Sequence, residues 1–329
     1  MADMTPPAGA AAFLAAHGWG DATIEPLAGD ASFRRYFRVK RGGERAVLMD
    51  APPPHEDPRP FLSIAAWLAE RRFAAPRIHA ADAEQGLVLL EDFGDQRLRE
   101  TADDDAEAAV PLYEAAIDLL VELRRHPAAD VRPYDRAELH RETGLLVDWY
   151  CPAVGIEPDR EAYRAAWDQV FDHALTATPV TVLRDFHAEN LMLVGPDANG
   201  ARTLGLLDFQ DALAGHPAYD LVSLLQDARR DVEPSLEEAM LARYRTATGE
   251  GHAFLDAYHI LGAQRNAKIL GIFTRLWRRD GKPRYPTLCP RVWGYLERDL
   301  SHPALAPVAR WFDETIPPEL RGDPLLLAA

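Results

Sequence analysis

The chain has 329 residues, 47% hydrophobic and 27% charged, the profile of a soluble globular enzyme too long for one small core and suited to two lobes. Its 52 acidic and 36 basic residues give a net charge of -16, which argues against a nucleic-acid partner because such partners select basic surfaces. Cys151 and Cys289 match no metal-ligand spacing and read as free thiols, no apolar run approaches a membrane span, and the start lacks the basic and apolar runs of a signal peptide, so a cytoplasmic location with no membrane contact is expected.

In chain order, residues 10–17 predict a short helix. From Ile24 to Asp50 the pattern is strand-like. Phe33, Phe37 and Val39 alternate with polar neighbours, Arg41-Gly42-Gly43-Glu44 is a hairpin turn, and Ala46-Val47-Leu48-Met49 forms the next strand. Pro52-Pro53-Pro54 interrupts the chain before a helix with Phe61, Ile64, Ala65 and Leu68 at helical spacing. Gly86-Leu87-Val88-Leu89-Leu90 is another strand. The remainder reads as mostly helical, with helices at 105–125, 137–151, 159–176, 217–228, 235–247, 252–278 and 289–299. The expected division is a small β-rich lobe over residues 1–93 and a larger, mostly helical lobe over 94–329, an α+β architecture.

One segment, 180–209, departs from the helical trend and concentrates the chemistry. It runs Arg184-Asp185-Phe186-His187-Ala188-Glu189-Asn190, then the apolar strand Leu191-Met192-Leu193-Val194, a stretch of turn formers, the returning strand Thr203-Leu204-Gly205-Leu206-Leu207, and Asp208-Phe209-Gln210. Antiparallel pairing sets the start of the first strand beside the end of the second, so Asn190 and Asp208 are expected to be neighbours. An amide oxygen and a carboxylate so placed suit Mg²⁺, which takes a few hard oxygen ligands and keeps sites for water and phosphates. Asp185, five positions before Asn190, can accept the proton of a hydroxyl that attacks a γ-phosphate. Phosphoryl transfer needs an aligned nucleophile, such a base, and cations on the phosphates.

Arg-Asp with Asn five positions on from that Asp, followed by an apolar hairpin ending in Asp-Phe, resembles the catalytic and metal-binding loops of the protein-kinase superfamily. Leu183 stands where protein kinases carry His, and Gln210 where they carry Gly. His187 and Pro217-Ala218-Tyr219-Asp220-Leu221 look instead like the aminoglycoside and choline phosphotransferase branch. The resemblance implies a bilobal protein-kinase-like fold, ATP and Mg²⁺ as cofactors, and a buried Asp220 that steadies the catalytic loop. It further implies that Leu89-Leu90-Glu91-Asp92-Phe93-Gly94 is the lobe linker, with backbone groups near Glu91 and Phe93 pairing the adenine edge.

On the nucleotide side, Gly29-Asp30-Ala31-Ser32 reads either as a plain hairpin turn or as the loop over the phosphates, its N–H groups and the Ser32 hydroxyl facing the β-phosphate. The phosphate-binding lysine of kinases is missing, because Met49 occupies its approximate place. Arg34, Arg35 and Arg38 on the preceding strand are the candidate replacements, and Glu56 and Glu70 the candidate partners.

The acceptor side is similar to a subgroup of anomeric sugar kinases from Gram-negative cell-wall recycling, through Gly29–Arg38, Asp185–Asn190 and Gln264-Arg265-Asn266-Ala267-Lys268-Ile269-Leu270-Gly271, with Leu146–Tyr150 and Arg275–Arg279 in support. That resemblance implies a small amino-sugar substrate, N-acetylmuramate or N-acetylglucosamine, and no obligate protein partner. Sugar sites pair an aromatic face with polar groups. Trp149, Tyr150 and Trp277 are candidates for the face or for core packing. His187, Glu189, Gln210 and Asp211 are candidates for hydroxyl or N-acetyl contacts. Arg265 suits either the lactyl carboxylate of N-acetylmuramate or an internal carboxylate. An aminoglycoside or amino-alcohol kinase on the same fold, and a nucleotide-binding pseudokinase, are the alternatives at this point.

Overall fold

The structure, a computed structural model, describes residues 5–27, 33–196 and 202–328. Contacts group the chain into two units, Met1–Thr101 with Glu189–Asp211 and Ala102–Ala188 with Ala212–Ala329.

The first unit opens with α1 (Ala10–Ala16), whose Phe13 and Leu14 are buried. Strands β1 (Thr23–Pro26), β2 (Arg35–Arg41) and β3 (Glu44–Asp50) follow, then α2 (Arg59–Glu70), β4 (Ile78–Asp82) and β5 (Leu87–Glu91). The five strands form one antiparallel sheet in the order β1-β2-β3-β5-β4. Gly42 and Gly43 take positive φ, 51° and 91°, and so close the β2–β3 hairpin without a Cβ clash. Phe37, Val39, Ala46, Leu48, Leu87 and Leu89 join Phe13 and Leu14 in one apolar cluster. Each Leu or Phe buried in this way contributes about 1.5–3 kcal/mol. The strand β4 is absent from the sequence expectation. Its residues, Ile-His-Ala-Ala-Asp, carry too little apolar alternation to signal a strand, and pairing with β5 creates it.

The second unit is helical. After α3 (Leu98–Asp104) come α4 (Ala106–Leu123) and α5 (Arg136–Leu145), whose first turns are capped by the Asp105 and Asp135 side chains. The helix expected over 137–151 loosens into a π turn at Leu146–Tyr150 before its last turn, α6 (Cys151–Ala153). The helix expected over 159–176 is two, α7 (Arg160–Asp168) and α8 (Phe171–Leu175). A turn at Gln169 and Val170 separates them, and buried Phe171 stacks on Trp167 at 5.3 Å.

Strand β6 (Val180–Val182) leads to the functional segment. The hairpin strands β7 (Leu191–Pro196) and β8 (Arg202–Leu206) belong to the first unit, and β9 (Leu213–Gly215) returns to pair with β6. The helices α9 (Ala218–Leu225), α10 (Pro234–Thr248), α11 (His252–Arg278), α12 (Cys289–Leu300), α13 (Ala306–Thr315) and α14 (Pro324–Leu327) complete the second unit. The 27-residue α11 is its axis, buried through most of its length. A Cβ on Gly271 would lie 2.3 Å from the Leu145 carbonyl, so glycine there lets α11 lie against the α5 backbone. No described helix is long and apolar enough to cross a membrane. Cys151 and Cys289 are both buried and free, as the sequence suggested.

Candidate active site

In the second unit, the loop after β6 carries Arg184 and Asp185. Asp220, on the first turn of α9, is buried and accepts two backbone N–H groups of that loop, from Leu183 at 2.7 Å and Arg184 at 2.9 Å. Ser223, three residues on, donates to Arg184 O at 3.1 Å and accepts from Arg265 Nη2 at 2.9 Å. Burial pushes the Asp220 carboxyl up to about 7, against the pull of the two amides and of Arg265. Arg184 has φ 70°, a left-handed conformation costing an L-residue roughly 1–2 kcal/mol. The Asp220 bonds hold it there. Half-buried Asp185 follows, and its carbonyl accepts the His187 N–H at 3.0 Å in a tight turn.

The Arg184 side chain reaches Glu142 on α5, a carboxylate only 1% exposed. Glu142 also accepts from Lys268 Nζ at 3.1 Å, Gln264 Nε2 at 3.1 Å and the Tyr134 hydroxyl. Gln264 and Lys268 lie one turn apart on α11 and so present one face to Glu142. Burial alone would raise the Glu142 pKa. Lys268 and Arg184, with the Tyr134 and Gln264 hydrogen bonds, bring it down to about 2 instead.

In the first unit, the hairpin register pairs Leu191 with Leu206, and Leu207 N–H donates to Asn190 O at 3.0 Å. This brings Asn190 and Asp208 together as their spacing predicts, with Asn190 Nδ2 3.5 Å from Asp208 Oδ2. Gln210 Nε2 donates to the other Asp208 oxygen at 2.8 Å. Asp208 is also left-handed, at φ 59°, and buried Phe209 beside it stacks on Phe61 of α2 at 4.9 Å. The carboxylate, with the Asn190 amide turned to offer Oδ1, is a hard oxygen donor set of the type Mg²⁺ accepts.

Of the nucleotide-side residues, Gly29, Asp30 and Ser32 lie outside the described residues. Glu91 closes β5, its N–H donating to Arg77 O at 2.9 Å and its side chain accepting from Arg77 N at 3.2 Å. The Phe93 ring lies over Gly205 on β8, where a Cβ would come within 2.7 Å of it. Asp92 between them is held by Arg38, at 2.8 Å to Nε and 3.1 Å to Nη2. Met49 is fully buried, opposite Tyr36 in the β2–β3 ladder. Arg34 Nε lies 3.5 Å from Glu56 Oε2, whereas exposed Glu70 pairs with its neighbour Arg71.

Among the acceptor candidates, His187 is buried with Nε2 3.4 Å from Arg229 Nη1, Glu189 is ion-paired to Arg99, and Asp211 is exposed. Trp149 and Trp277 are half-buried. Tyr150 is core, its hydroxyl donating to Leu320 O at 2.9 Å. Arg265 is buried at 3% exposure between Ser223 and the field of Asp220, surroundings that favour the internal reading over lactyl recognition. Glu142, Tyr134 and Lys268 escaped sequence reasoning. The available signal was a carboxylate in the apolar stripe of α5, three residues after Leu139 and four before Leu146.

A profile of the phosphotransferase enzyme family matches residues 23–258. An N-acetylmuramate/N-acetylglucosamine kinase of Caulobacter vibrioides is 40% identical, covering 94% of this chain and 97% of its own length. One from Pseudomonas aeruginosa is 41% identical over 86% of each. Among solved structures, choline kinase LicA from Streptococcus pneumoniae superposes with a TM-score of 0.60 at 14% identity, covering 86% of this chain and 93% of LicA. The ADP-bound aminoglycoside phosphotransferase APH(2'')-Ib gives 0.58 at 16% identity, covering 88% and 94%. These likenesses establish a protein-kinase-like α+β fold with a small antiparallel sheet and a mostly helical remainder. With the profile spanning well over half of its residues and the curated relatives so similar, the chain belongs to the phosphotransferase enzyme family.

Proposed function

We propose that this phosphotransferase uses ATP and Mg²⁺ to phosphorylate the anomeric hydroxyl of N-acetylmuramate and N-acetylglucosamine in the cytoplasm, releasing a sugar 1-phosphate and ADP. The observation that carries this reading is the 40% identity, along 94% of the chain, to a kinase named for those two sugars. The pairing of Asn190 with Asp208 supports it, since the donor set suits the metal of a nucleotide triphosphate.

In this reading residues 1–93 bind the nucleotide and 94–329 supply the catalytic loop and acceptor site. Backbone groups near Glu91 and Phe93 take the adenine edge, and Gly29, Asp30, Ser32 and Arg34 the phosphates. Asn190 and Asp208 hold Mg²⁺, which neutralises phosphate charge when bound. Asp185 accepts the proton of the anomeric hydroxyl as that oxygen bonds to the γ-phosphorus and the bond to the β–γ bridging oxygen breaks. Asp220 keeps the loop in place through Leu183 and Arg184. His187, Glu189, Gln210, Asp211 and Trp149 are assigned to the acceptor, and Arg265 to the scaffold behind the loop.

The test offers ATP with N-acetylmuramate, N-acetylglucosamine, choline and an aminoglycoside in turn, and reads phosphorus–proton coupling in the product. Turnover of the two sugars with coupling to H1 is expected. Turnover of choline or the aminoglycoside alone, or coupling to H6, would refute the reading.

A further inference from the structure

The phosphates of the proposed nucleotide need a cation, and the first unit holds the candidates. Strand β3 offers none near its end, because Met49 is wholly buried there. Three arginines lie at or beside β2, and the strand period separates them. Tyr36 and Arg38 share one face, Arg35 points to the other, Tyr36 shares its face with its ladder partner Met49, and Arg34 precedes the strand by one residue, its side chain hydrogen-bonded to Tyr36. Arg35 is committed to Asp50, at 2.8 Å from Nε, and to Thr5 O at 3.0 Å. Arg38 is committed to Asp92 and Asp95, just past β5. Arg34 alone of the three sits by Glu56, with its side chain 10% exposed. Tyr36 ties this pair to the metal-ligand candidates. Burial pushes its phenol up to about 12, and the charges acting on it are Arg34, Asp208 and Glu56. The Arg34–Glu56 pair and Asp208 therefore both act on Tyr36, which shares its sheet face with Met49.

We propose that Arg34, oriented by Glu56, is the cation that binds the nucleotide phosphates, in the role a strand-β3 lysine fills elsewhere in the kinase fold. A guanidinium presents a planar fork to two phosphate oxygens, where an ammonium offers a point charge. Glu56 restricts the rotamers of a long side chain and so lowers the entropy lost on binding. The inference rests on the proposed use of ATP.

Calorimetry on the full chain, with ADP and adenosine as probes, separates the possibilities. Arg34→Met is expected to weaken ADP binding about ten- to a hundredfold, the loss of a charge-assisted contact, while adenosine affinity is unchanged. Arg34→Lys should recover part of the ADP affinity, and Arg34→Met with Met49→Lys should recover more than Arg34→Met alone. Arg35→Met, which disturbs the opposite face, should lower the thermal midpoint without selective loss of ADP. Equal losses for ADP and adenosine in Arg34→Lys, or ADP affinity unchanged in a folded Arg34→Met, would overturn the assignment of Arg34 while leaving the kinase reading intact. A wild-type chain that binds neither probe would overturn both.

Discussion

Replacing Glu142 by Gln tests the buried charge network behind the catalytic loop. The wild-type carboxylate lies between Arg184 and Lys268, with Tyr134 and Gln264 completing its hydrogen bonds. Its pKa falls from 4.5 to about 2 on folding, a preference for the charged form of about 3 kcal/mol. Glutamine keeps the shape but leaves two buried cations without their anion, and breaking such pairs costs about 3–5 kcal/mol. At roughly 2–4 °C per kcal/mol, the thermal midpoint should drop by about 6–20 °C. The pH dependence carries a further signature. Because the folded pKa is depressed, this stabilisation is complete above the unfolded pKa of about 4.5 and is lost as pH falls toward 2. The stability gap between wild type and Glu142→Gln should thus narrow by about 0.8 kcal/mol from pH 7 to pH 4. Urea unfolding of both proteins at the two pH values measures this. A gap that is absent at pH 7, or that does not narrow on acidification, would refute the ionised-network argument. The loss of Arg184 anchoring should also lower kcat in the surviving folded enzyme.

Two substitutions address the chemistry directly. Asp185→Asn should reduce kcat by about 10²–10⁴-fold with nucleotide affinity retained, because the amide keeps the size of the base but cannot accept the proton; wild-type kcat would remove Asp185 from that role. Arg265→Ala should lower the thermal midpoint and raise KM for N-acetylmuramate and N-acetylglucosamine alike, since Arg265 serves Ser223 and Asp220; a rise confined to N-acetylmuramate would return it to the lactyl group.

What could be read from the sequence follows the range of the interactions involved. The Asn190–Asp208 juxtaposition depends only on hairpin register, a local property that the spacing of two apolar runs encodes. The helices α2, α4 and α12 announce themselves by amphipathic period. The strand β4 and the β6–β9 ladder do not, because each is short and exists through its partner. The same limit applies to side chains. Arg184 is visible beside Asp185, yet its carboxylate lies 42 residues back on α5 and is joined there by groups from α11. That Arg35 and Arg38 face opposite ways likewise needed the ladder, since the two look equivalent in one dimension.

The two buried cysteines turn the chain into a clock for its own opening. Burial raises the Cys151 thiol to about 12 and lifts Cys289 as well, so neither offers appreciable thiolate near neutrality. Both lie in the second unit, Cys151 just past the π turn and Cys289 at the start of α12. An alkylating reagent in solution therefore meets them only when that unit admits water. With reagent in excess, modification counts each opening event; when reclosing is faster, it reports the population of the open form. Because neither thiol belongs to the proposed chemistry, the same reading can be taken with the acceptor sugar present, and the slowing it produces converts into the free energy by which that ligand holds the second unit shut.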